Sequence, residues 1–172
     1  MAHFTDTSET WERLDWQILQ NSSVALYHDT SIFTQDMQWF QTQSYQVYHF
    51  NCTTWTTLEA FHTHVQTEFE FPGYYGGNMD ALNDCLSEIR VPNESGTVLS
   101  LSHFDCFTHQ FPRVAYEFLD IIGCTSRMFL LFGQRFLALV HTDDPDVHFD
   151  AIGACPVIQN PREHLFLKHH MK

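Results

Sequence analysis

Two aspartates four residues apart, Asp80 and Asp84, are the residues whose type and spacing first suggest chemistry. Wound as a helix, the stretch Asn78 to Ile89 puts Met79, Leu82, Leu86 and Ile89 on one apolar stripe. That stripe must face a core, so Asp80 and Asp84 project together from the opposite side, with Asn83 and Ser87 beside them. Like charges at this spacing cost an isolated helix about 0.2–0.5 kcal/mol, and the positive N-terminal end of the helix offsets part of this for Asp80. A cationic partner would remove the penalty. The chemistry on offer is electrostatic capture of a basic surface.

The rest of the chain has the same sign. Its 172 residues hold 21 Asp and Glu against 8 Lys and Arg, a formal net charge of −13. Between Arg13 and Arg90 there is no Lys or Arg, while that interval holds Asp15, Asp29, Asp36, Glu59, Glu68, Glu70, Asp80, Asp84 and Glu88. A face of one sign speeds association with a basic protein and selects against anionic ligands, which argues against nucleic acid and anionic membrane as direct partners. HExxH, GxSxG and a phosphate-cradling glycine loop are absent from the sequence. His62-x-His64 beside Glu59 is the densest histidine cluster, but residues two apart on a helix diverge by about 200°, given roughly 3.6 residues per turn. No catalytic residue, metal ligand or cofactor is therefore expected, and His169-His170 is expected to be a solvated tail.

A composition that is 44% apolar and 15% aromatic excludes a disordered chain. The five cysteines, Cys52, Cys85, Cys106, Cys124 and Cys155, are odd in number and include no CxxC pair, so reduced thiols serving as small buried hydrophobes are expected. The N-terminus has neither the basic nor the apolar region of a secretory signal. The longest apolar runs, Met128 to Phe132 and Phe136 to Val140, fall far short of the roughly 20 residues that span a bilayer. A cytoplasmic location is the expectation.

The elements that must position the acidic helix alternate along the chain. Residues 8–20 predict a peripheral helix, Val24 to His28 a short strand, Ile32 to Phe40 a helix, Gln46 to Asn51 a strand and Thr56 to Glu70 a helix. Phe71-Pro72-Gly73-Tyr74-Tyr75-Gly76-Gly77 is a loop by its proline and glycines, and Asn78 is placed to cap the helix that follows. Residues 97–102 predict a strand, Pro112 starts a helix reaching at least Ile122 before Gly123, and Arg135 to His141 predicts a strand. Ser126 to Phe132 fits either a helix or a strand. An acidic turn at Asp143 to Asp146 precedes an extended stretch near Val157 and a last short helix opened by Asn160, with Glu163 at its capping-box position. Strands separated by helices predict a mostly parallel sheet covered by helices.

The run Phe71 to Leu86, FPGYYGGNMDALNDCL, resembles the segment that marks the barstar family of ribonuclease inhibitors: a tyrosine-glycine loop, Asn, an apolar residue, Asp-Ala-Leu, then Asp-Cys-Leu. The resemblance implies an α/β fold, a small parallel sheet of three to four strands flanked by helices. Residues 46–141 would form its core, residues 1–45 an N-terminal extension packed on it and residues 142–172 a C-terminal tail, all in one domain. It implies that Tyr74, Tyr75 and Gly76 approach a basic nuclease from the loop, that Asn78 opens the helix, and that Asp80 and Asp84, flanked by Asn83 and Ser87, meet the enzyme's phosphate-binding cations. Where family members commonly carry Trp, this sequence has Asn83. An acidic module for another basic nuclease or toxin, as an immunity protein would be, is the alternative.

Overall fold

A computed structural model describes residues 6–160, 162 and 163. Five parallel strands form one sheet in the order β2-β3-β4-β1-β5: β1 (Val24–Tyr27), β2 (Gln46–Asn51), β3 (Thr97–Ser102), β4 (Phe136–His141) and β5 (Ile158–Gln159). Helices α1 (Ser8–Trp11), α2 (Leu14–Leu19), α3 (Thr30–Thr42), α4 (Leu58–Glu68), α5 (Met79–Ser87), α6 (Phe104–Gln110) and α7 (Pro112–Leu131) cover it. The α/β class read from the sequence is therefore correct, with one correction to its size. The sheet has five strands rather than three or four, because β1 of the N-terminal extension pairs with β4 and β5 of the tail pairs with β1.

Strand periodicity splits the apolar residues between two layers. Val24, Leu26, Leu99, Leu101, Phe136, Ala138 and Val140 face a core closed by α4–α7, while Ala25, Tyr27, Val98, Leu137 and Leu139 face α2 and α3 on the other side. Trp55, fully buried where a short 3-10 turn leads β2 toward α4, meets Phe50, Phe61, Phe104, Phe107 and Phe118 edge-on or tilted and anchors the larger layer. Aromatic rings pack well in such offset arrangements, and this cluster fixes the angle at which α4 leaves the sheet.

Several boundaries differ from the sequence expectation for identifiable reasons. The N-terminal helix is two helices, because the backbone at Arg13 is extended (φ −69°, ψ 136°). Ser126 to Leu131 continues α7, and Gly123 lies inside that helix instead of ending it. A methyl group at Gly123 would stand 3.2 Å from the backbone of Gly153, so the glycine serves a close approach between α7 and the tail. Helix α6 gave no clear periodic signal and was not anticipated. Glu163 does not close a capping box: its carboxylate accepts from the backbone N–H groups of His28 (2.8 Å) and Asp29 (2.9 Å). The remainder of the last helix, and His169-His170, lie outside the described residues. All five cysteines are free thiols. Cys52 and Cys85 are buried as expected, whereas Cys124 is exposed on α7. Among the described residues no helix is long and apolar enough to cross a membrane.

Candidate functional site: an acidic helix and its loop

Helix α5 starts where the sequence places it. Asn78 is in an extended conformation and its side-chain oxygen accepts from the Ala81 N–H at 2.9 Å, satisfying one donor of the open first turn. Leu82, Cys85 and Leu86 are buried against the sheet layer, with Met79 partly covered. Ile89 falls beyond the last helical residue but still packs on that layer. The opposite face carries Asp80, Asn83 and Asp84, all exposed, and half-buried Ser87, whose hydroxyl donates to the Asp84 carbonyl at 2.6 Å. Among the described residues neither the Asp80 nor the Asp84 carboxylate has a hydrogen-bond or ion-pair partner. Two charges therefore stand in water with nothing among the described residues to neutralise them.

The preceding loop divides its two tyrosines. Tyr74 is 78% exposed, whereas Tyr75 is 9% exposed and turned inward. The Tyr75 ring lies 5.1 Å from that of Phe71, and its hydroxyl shares a 2.6 Å hydrogen bond with His62 Nδ1 on α4. Burial pushes the Tyr75 phenol up and the His62 imidazole down, so both are neutral near pH 7 and the bond joins two uncharged groups. Tyr75 is thus a post under the loop, and its side chain is absent from the exposed face on which the sequence had placed it. Gly77 supplies a left-handed turn (φ +60°) just before the helix, which only a residue without a Cβ adopts at little cost. Gly76 and Asn78 are exposed beside Asp80.

His62 and His64 point to different partners. His64 Nδ1 accepts from the Trp55 indole N–H at 3.0 Å, and its other nitrogen lies 3.9 Å from Glu68. Both histidines serve packing within and beside α4. A notch of about 430 Å³ separates α4 from the start of α5 and is lined by Leu58, Glu59, His62, Tyr75, Asn78 and Met79 among others.

The acidic interval read from the sequence is less uniform in space than in the chain. Asp15 is buried, accepting from Tyr45 (2.6 Å), Arg13 (2.8 Å) and Arg135 (3.1 Å). Asp36 is buried under Tyr27 (3.0 Å), Asn160 (2.7 Å) and Arg162. These two acids are paired with cations, of which Arg135 and Arg162 lie more than a hundred residues away in the chain, and so add little to an external negative field. Asp29 caps α3. The acids left exposed on α4, α5 and their flanks are Glu59, Glu68, Glu70, Asp80, Asp84 and Glu88.

The comparison with protein families reaches the same segment. A family model described as barstar (barnase inhibitor) matches residues 45–140, more than half of the chain, and the match spans β2 to β4 with α5 inside it. The chain belongs to the barstar family. The family takes its description from an inhibitor, that of barnase. No curated protein matches the chain. Helices α1–α3, strand β1 and the segment after Val140 lie outside the matched residues, and β1 and β5 come from those two flanks.

Proposed function

We propose that this barstar-family chain is a cytoplasmic inhibitor of a basic ribonuclease and acts by filling the enzyme's phosphate-binding cleft with the exposed face of α5. Asp80 and Asp84 pair with the cleft's Arg, Lys or His side chains and stand in for RNA phosphates. Asn83 and Ser87 offer neutral hydrogen-bonding groups beside them, and Tyr74 and Gly76 cover the rim from the loop, with Asn78 fixing the helix start. Tyr75 contributes from beneath by holding the loop on His62. Substrate is excluded because the same cations cannot bind RNA and the two carboxylates at once.

The observation that carries this function is the unpartnered carboxylate pair on a rigidly anchored helix. A free chain keeps two like charges four residues apart, at a small cost in helix stability, and a cationic cleft converts that cost into affinity. The exposed Glu59, Glu68 and Glu70 add a field that speeds encounter. A second function, neutralising a basic DNase or other toxin in the manner of an immunity protein, is favoured by Asn83, a polar and exposed residue where the family commonly offers an aromatic anchor.

The deciding experiment titrates the full chain against a panel of basic microbial nucleases, each assayed on RNA and on DNA. Stoichiometric inhibition of a ribonuclease supports the first function, and inhibition confined to a DNase supports the second. Failure to inhibit any member, together with failure to retain any of them on the immobilised chain, would remove both.

A further inference from the structure

Away from α5, at the carboxyl ends of β3 and β4, the fold gathers two histidines and an aspartate that the inhibitory face does not use. His103 is the residue after β3, His141 is the last residue of β4, and Asp143 lies two positions beyond it. One donor atom from each falls within 4.8 Å of the others. His103 Nδ1 is hydrogen-bonded to one carboxylate oxygen of Asp143, and His141 Nε2 lies 3.8 Å from the other. We propose that His103, His141 and Asp143 bind one divalent transition-metal ion of the zinc type.

Three features support the site beyond proximity. His141 is 1% exposed, and its Nε2 is the ring nitrogen turned toward Asp143. A histidine buried at the end of a strand, where an apolar side chain would fill the space without penalty, calls for a role outside packing. His103 is held in the left-handed backbone region (φ +53°, ψ 43°), a conformation uncommon for a residue with a Cβ, and this turn brings it to Asp143. A neighbouring group holds Asp143 in place, because its N–H donates to the buried Asp105 carboxylate at 3.1 Å.

The donor set selects the ion. Two imidazoles and one carboxylate suit zinc, cobalt or nickel, whereas magnesium and calcium prefer all-oxygen shells. Bonds of about 2.0–2.2 Å place adjacent ligand atoms roughly 3–3.5 Å apart, so the half-buried His103 and the exposed Asp143 need move only modestly to exchange their mutual bond for the ion, while His141 Nε2 exchanges its bond with Thr30. Three protein ligands leave a fourth position for water. The ion would add a tie between the start of α6 and the segment after β4, which already meet through the His103–Asp143 hydrogen bond, the Asp105 contact, the packing of Phe104 on Phe149 and the His109–Asp144 pair. Sequence reasoning missed the site because His103 and His141 are remote in the chain, and His141-x-Asp143 alone is a weak signal.

The test uses the full chain, stripped of metal, titrated with Zn²⁺ by calorimetry and with Co²⁺ by visible absorption. The expected result is one equivalent bound with nitrogen-ligand cobalt bands. The substitutions His103→Gln and Asp143→Asn should each weaken binding at least tenfold and abolish the Zn²⁺-induced rise in Tm, with the circular dichroism unchanged. Replacing His169 and His170 together should leave the one-equivalent binding intact. Absence of stoichiometric binding would overturn the proposal, as would binding that survives H103Q and D143N but disappears with the two tail histidines.

Discussion

Replacing Asp80 or Asp84 by Ala separates inhibition from folding more cleanly than any other change in the molecule. Both carboxylates are exposed and have no hydrogen-bond or ion-pair partner among the described residues, so truncation removes none of these interactions there. Asp80→Ala forfeits a favourable interaction with the helix N-terminus of about 0.3–1 kcal/mol, and either substitution relieves about 0.2–0.5 kcal/mol of like-charge repulsion. The net effect on unfolding free energy should stay within about 1 kcal/mol. In the proposed complex the situation would reverse, because each carboxylate would be desolvated against an enzyme cation. Removing one partner of a buried ion pair strands the other and costs about 3–5 kcal/mol, which at roughly 1.4 kcal/mol per decade is about two to nearly four orders of magnitude in Kd. Urea unfolding measures the first quantity. Inhibition of RNA cleavage, together with dissociation of the chain from the inactive enzyme, measures the second, and the loss should sit in the dissociation rate. If both variants inhibit a cognate ribonuclease as tightly as the parent chain while folding normally, α5 is not the inhibitory element.

The remaining predictions concern what surrounds that face. Neutralising Glu68 and Glu70 together, as Gln, should slow association and flatten its dependence on ionic strength while leaving dissociation unchanged, which stopped-flow binding at low and moderate salt would reveal. Tyr75→Phe leaves a buried nitrogen of His62 unpaired and should lower stability by about 1–3 kcal/mol in urea melts at pH 7.5. His62 also sets a pH dependence. Burial holds its folded-state pKa below 6.5, so the unfolded chain takes up the proton first, and stability should be full above that value and fall as pH drops through it. A His62→Gln variant, which does not titrate there, should show a shallower decline between pH 7.5 and 5.5. Gly123→Ala places a methyl 3.2 Å from the Gly153 backbone and should destabilise by about 1–3 kcal/mol through displacement of the tail, whereas an alanine at exposed Cys124 next to it should not.

How far the fold was legible depended on whether the information was local. Helix α5 could be placed from its own residues because a 3.6-residue period and an N-cap are properties of a dozen neighbouring side chains, and the same holds for α4, for β2 to β4 and for Pro112 at the start of α7. Gly123 misled for the opposite reason: what makes a glycine necessary there is the backbone of Gly153, thirty residues on. The count of strands was short by the same logic. β5 is two residues long and carries no pattern of its own, and its place is fixed only by pairing with β1 across the sheet.

The amino-acid sequence by itself determined the acidic helix, its exposed aspartate pair, the tyrosine-glycine loop and the parallel α/β class, because each rests on short-range periodicity, capping or turn chemistry. Tertiary structure alone decided which charges are free. Asp15 and Asp36 look like surface acids in the chain and are buried against Arg135 and Arg162, while Tyr75 turns under the loop to meet His62 and leaves Tyr74 outside. It also decided that His103, His141 and Asp143 meet. Partners far apart in the chain come together only when the sheet forms, and no local pattern records them.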